Sequence, residues 1–137
     1  MGIRGASIAG LLVIAAMLCA APALASRAAN ATERQGLTNA VYGSVVGGIN
    51  KVPRTQYTVT GQRVSTISRS WAMARLVATP AFKSKFQNAL VVAVKLAGTS
   101  RWVVVDLGSA QVVCGIAPNA VLADLFNSKR PCPGGIS

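Results

Sequence analysis

The chain has 137 residues, with 14 lysines and arginines against three acidic residues, a formal net charge of +11 and no histidine. The missing histidine excludes Ser-His-Asp and Cys-His catalysis and most zinc and iron sites. A field this positive favours anionic partners such as envelope polymers, lipid headgroups or nucleic acid, although the same charge also serves plain solubility.

Residues 1–25 read as a signal peptide. Arg4 supplies a short positive start, and Ile8 to Ala21 is an uncharged, mostly apolar run with Leu11, Leu12, Val13, Ile14, Met17 and Leu18. Pro22 breaks the run, and Ala23-Leu24-Ala25 fits signal peptidase, so cleavage is expected between Ala25 and Ser26. The run falls short of the roughly 20 residues that a comfortable bilayer span needs. The alternative is an uncleaved anchor. A single arginine before the run argues against the twin-arginine route. Cys19 follows Met17-Leu18 rather than a small residue, so it is expected to leave with the leader and not to carry lipid. The remaining chain keeps thirteen basic residues against Glu33, Asp106 and Asp124, a net charge of +10. It has the length of one domain, and no further apolar stretch that would anchor it in a membrane.

Residues 26–31, mostly small, read as a flexible lead-in to a single domain over 32–137. Thr32 and Gln35 have capping-box spacing, and Leu37, Val41, Val45 and Ile49 mark one face of a first helix. Gly43, Gly47 and Gly48 weaken that helix and Pro53 ends it. From Gln56 to Ile67 the threonines and valines suit a strand bent at Gly61. Ser68-Arg69-Ser70 reads as a turn, Trp71 to Thr79 as a second strand whose alanines would also allow helix, and Pro80 to Asn88 as a polar connection. Ala89 to Leu96 and Arg101 to Leu107 pair across a Gly98-Thr99-Ser100 hairpin loop, with an extension over Gln111 to Cys114. Pro118 suits the first turn of a last helix carrying Val121, Leu122, Leu125 and Phe126. Cys114 and Cys132 are the two cysteines left after export, which predicts a disulfide closing a loop of about 18 residues. The expected fold is α+β: an N-terminal helix, an antiparallel meander of about four strands, a short C-terminal helix on the same sheet face, and one disulfide.

Little in this inventory points to catalysis. No Ser-x-x-Lys occurs; the nearest echo, Thr79 to Lys83, has threonine for serine and is one residue too long. A glycosidase needs two carboxylates across one bond, and only Asp106 and Asp124 are ordered candidates. Their plainer roles are a turn or ion pair for Asp106 and a solvated helix position for Asp124. The glycines lack a GxxxxGK pattern, and the cysteines lack CxxC spacing. The chain is therefore expected to be no enzyme and to need no cofactor or metal.

The stretch from Val64 to Pro133 resembles a group of small exported actinobacterial proteins of unknown function. The residues that carry the resemblance are Val64-Ser65-Thr66, Trp71-Ala72, Trp102-Val103-Val104-Val105-Asp106-Leu107-Gly108-Ser109, Cys114-Gly115-Ile116-Ala117-Pro118 and Cys132-Pro133. In that group the turn before the first tryptophan is usually acidic; here it is Arg69-Ser70. The resemblance implies an actinobacterial envelope or medium as the setting and brings no activity with it.

Binding is the remaining chemistry. Period-2 alternation can set Leu90, Val92, Val94, Leu96, Val103, Val105 and Leu107 toward a core, and Ala72, Ala74 and Ala78 under a helix. Trp71, Arg75, Lys95 and Trp102, with Arg63 and Arg101, then share one open sheet face. Aromatic and basic residues together suit sugars, anionic polymers or single strands. The competing reading buries both tryptophans in a sheet covered on both sides. The expected role is a non-catalytic secreted or cell-envelope protein that holds an anionic envelope polymer; the alternative is a protein-directed inhibitor or accessory module. A membrane-active peptide would need a cationic amphipathic helix, and the first helix carries charge only near its ends. Export makes nucleic acid an improbable physiological ligand.

Overall fold

The computed structural model describes residues 25–46, 49–50, 52–109, 113–129 and 132. The leader with Cys19, the Gly47-Gly48 pair, residues 110–112 of the expected strand extension and the tail after Cys132 lie outside the described residues.

The chain enters the fold earlier than its small residues imply. Ser26 is buried, and Arg27–Ala28 forms strand β1, paired antiparallel with Val64 and Arg63. Residues 26–31 are thus not a loose lead-in, because Arg27 and the helix that follows tie them down. Helix α1 spans Ala31–Gly43, and its N-cap is Asn30, not Thr32. The Asn30 side chain accepts from the Glu33 N–H, and the Glu33 carboxylate accepts from the Asn30 N–H. Two motifs with the same spacing compete here, and the one with the acidic N3 residue wins. It places a carboxylate at the positive end of the helix.

The four-residue apolar period breaks at Gly43. Leu37 and Val41 are buried on α1, but Val45–Val46 and Ile49–Asn50 form a separate two-stranded ribbon, β2 and β3. Glycine at the helix end and two adjacent β-branched valines favour this extended path over another helical turn.

The remaining strands are β4 (Tyr57–Val64), β5 (Trp71–Ala78), β6 (Ala89–Lys95) and β7 (Trp102–Gly108). With β1 they form one five-stranded antiparallel sheet in the order β1-β4-β5-β6-β7. Gly61, at a φ of +59°, carries the irregularity between Thr60 and Arg63 where β4 bends. The expected turn closes through the Trp71 N–H to the Ser68 carbonyl at 3.0 Å. Helix α2 spans Asn119–Phe126 after Pro118, and a disulfide joins Cys114 to Cys132.

The two helices do not share a sheet face. Leu37 and Val41 of α1 pack on Ala72, Ala74, Leu76, Val91, Ala93, Trp102 and Val104. Val121, Leu122 and Leu125 of α2 pack on Met73 and Val92, with Trp71, Leu90 and Val105 at the margin. Alternate residues of β5 and β6 therefore face opposite helices, and the domain is a three-layer α/sheet/α sandwich. A second shift lies between β6 and β7: Ala93 pairs with Val104, but Val92 pairs with Asp106. The extra residue, Val105, puts Leu107 into the α1 cluster while Val105 stays with α2. Simple alternation from Val103 to Leu107 consequently fails. Leu96, expected inside, is 40% exposed at the strand end.

Candidate functional site

The three carboxylates are engaged within the fold. Glu33 receives two hydrogen bonds from the Arg27 guanidinium, at 2.7 and 2.8 Å. The Arg27 contact, against the opposing effect of burial and with help from the Asn30 N–H, holds the Glu33 carboxyl down at about 2. Asp124 is not the solvated helix residue expected from its position: it is 8% exposed. Ser65 Oγ and the Thr66 N–H donate to its Oδ2 at 2.6 and 2.8 Å, and Thr66 Oγ1 donates to Oδ1 at 3.0 Å. Burial pushes this carboxyl up, and those donors outweigh it, so Asp124 sits below the ordinary aspartate range. Asp106 accepts from the Leu107 and Val113 N–H groups, the second at 2.5 Å. It thereby fixes the turn where Val113 adopts a φ of +62°. None of the three faces another carboxylate across a cleft.

Among the described residues, a cleft lies on each side of the sheet. The larger, about 870 Å³, lies on the α2 side. Its lining includes Arg63 and Arg75 from the sheet, Met73 and Leu90 beneath them, and Phe126 and Asn127 at the end of α2. Arg63 is tied inward, donating through Nε to Ser26 Oγ at 2.8 Å and through Nη2 to the Ser26 carbonyl. Arg75 lies against Gly61 and has no hydrogen-bond acceptor or carboxylate among the described residues. The smaller cleft, about 480 Å³, lies between α1 and the outer edge of β7. Gly36, Asn39 and Gly43 line it from the helix, and Ser100, Arg101 and Trp102 from the strand.

The six residues of the expected binding face therefore divide. Arg63 and Arg75 share the larger cleft, and Trp71 is half-buried on that same side, packed against the α2 cluster. Trp102 is 5% exposed on the opposite side, with the Lys95 Nζ 4.9 Å from its ring centroid and Arg101 beside it at the smaller cleft. No face displays both tryptophans, because Trp71 and Trp102 occupy positions of opposite sidedness in adjoining hairpins. The near-continuous apolar run Ala89–Val94 was the available signal for a sheet covered on both faces. Sequence reasoning missed Gly36, Asn39 and Asn127, which only the tertiary fold brings to the clefts. Among the described residues, no helix is long and apolar enough to cross a membrane. No family model, curated protein or solved structure matches the chain.

Proposed function

We propose that this is an exported, non-catalytic domain that holds an anionic polymer in the cell envelope or the surrounding medium. One observation carries the reading: among the described residues only Arg27 pairs with a carboxylate. The other two carboxylates are held by hydroxyl and backbone donors rather than by cations. Arg63 is tied inward to Ser26, but most of the domain's positive charge is not neutralised by carboxylates, and it attracts polyanions over about a Debye length. Arg75, with an unpaired guanidinium on the larger cleft, is the residue best placed to make a direct contact.

The leader reading draws support from Ser26. Its N–H donates to the Asp124 carbonyl at 3.3 Å and its hydroxyl to the Leu125 carbonyl at 3.4 Å, so the first residue after the expected cut is held within the fold. The disulfide suits an oxidising compartment. The actinobacterial setting rests on the resemblance across Val64–Pro133.

Immobilised polyphosphate tests the binding reading against neutral dextran. The purified protein is expected to be retained on polyphosphate alone, with retention falling steeply as salt rises. Arg75→Glu is expected to elute at lower salt. Equal retention on both matrices would overturn the reading and favour the protein-directed alternative.

A further inference from the structure

The smaller cleft carries a feature that bulk charge does not explain. Trp102 is 5% exposed, and its indole N–H has no acceptor among the described residues. No buried side-chain nitrogen or oxygen among those residues lacks a partner, so this N–H must reach solvent. The route is through the cleft. A Cβ at Gly36 would lie 2.9 Å from Trp102 Cδ1 and 3.4 Å from Nε1, so the N–H edge of the indole lies against Gly36 on the cleft wall. An indole N–H can only donate. A polar group this deep lowers its free energy by meeting an acceptor.

The neighbouring groups narrow the kind of acceptor. Arg101 immediately precedes β7 and lines the same cleft, with no carboxylate partner among the described residues. Asn39 accepts from Gln35 through its Oδ1, which leaves its Nδ2 as a donor. Ser100 adds a hydroxyl, and no acidic residue lines the cleft. Lys95, its Nζ 4.9 Å from the Trp102 ring centroid, adds positive potential on the same sheet side. Donors outnumber acceptors, and a guanidinium matches the two-oxygen geometry of a carboxylate or phosphate.

We propose that the cleft between α1 and β7 is a discrete oxyanion site in which a carboxylate or phosphate group accepts from Trp102 Nε1 and from the Arg101 guanidinium. Gly36 is the residue that keeps the N–H edge open, since any side chain there would crowd the indole. The site stands apart from the polymer-binding reading. Retention on a polyanion could be lost while this cleft still binds a small anion, and the reverse also holds.

Two-dimensional amide spectra of the purified protein resolve the test, because Trp71 and Trp102 are the two tryptophans and give two indole resonances. The Trp102 signal is assigned by its absence in Trp102→Phe. Glucuronate and glycerol phosphate serve as carboxylate and phosphate probes at constant ionic strength, with chloride as the control. The Trp102 indole signal is expected to shift saturably with one or both probes and to stay put in chloride, while the Trp71 signal does not follow. The probe that binds identifies the source of the oxyanion. Arg101→Gln is expected to weaken binding by about tenfold. Lack of response to both probes overturns the site. So does a response that chloride reproduces, or one that Arg101→Gln leaves unchanged.

Discussion

Gly36 sets how closely α1 approaches Trp102. Its Cβ would come within 2.9 Å of the indole, and that ring is packed among Leu37, Ala72 and Ala93 with little room to retreat. Gly36→Ala is therefore expected to destabilise the fold by about 1–3 kcal/mol through overpacking, read from the denaturant midpoint, despite alanine's better helix propensity. Asp124 works in the opposite sense, as an acceptor that closes a set of donors. Asp124→Ala leaves Ser65 Oγ and the Thr66 N–H short of their acceptor and is expected to remove about 2–4 kcal/mol. The sequence could not show this pairing: Ser65 and Asp124 stand 59 residues apart. Glu33 was legible as a charge but not as the N3 partner of the Asn30 cap, since Thr32–Gln35 offered the same spacing. Its folded value of about 2 lies below the 4.5 of the free group. The stability it adds is thus complete above the free value and is lost as pH falls toward about 2. Arg27 is 41% exposed, so solvent screening keeps that contribution small. In Glu33→Gln the acid-induced fall in midpoint is expected to be smaller; an unchanged pH profile would contradict the assignment.

Among the elements, β4, β6 and β7 were legible because each rests on local signals: alternating threonine and valine, a glycine-containing loop, or a dense valine run; β5, with Ala72, Ala74 and Ala78, suited a helix as well as a strand. The two helices were legible as helices, yet their sides were not. That choice depends on the connection from β7 through Cys114 to α2, and no periodicity in either segment encodes it. The shift at Val105 was equally hidden, because one extra residue in a strand leaves composition unchanged while reversing every side chain after it. The disulfide fastens the connection at issue. It joins the turn before α2 to the segment after it, across 18 residues. Replacing Cys114 and Cys132 together by serine is expected to lower stability by about 3 kcal/mol, read by thermal unfolding with and without reductant in the parent chain. A loss confined to a few tenths would mean that α2 docks as firmly without the staple.

For the whole molecule, the division of charges matters more than their number. The three acidic residues were visible as a scarcity, but only the fold shows them engaged by a cap, a turn and a hydroxyl pair. The binding face was the part least legible in the sequence. It was sought on one side of the sheet, and the structure distributes its six residues over two sides, with Arg75 on one cleft and Arg101 with Trp102 on the other. Ser26, the first residue after the proposed cut, belongs to the folded domain in the same account. Ser26 is 1% exposed in the folded domain, whereas Ala25 before it is exposed. N-terminal sequencing of the exported protein is expected to begin at Ser26. A start after Ala28 would remove β1 and contradict the fold's dependence on it. The central claim, that outward-facing cations hold the protein on an anionic envelope polymer, is tested most directly by co-sedimentation with isolated cell envelopes across a salt series. Binding at low salt that falls steeply as salt rises, with Arg75→Glu released earlier, is the predicted result. Failure to sediment at low salt would contradict the claim.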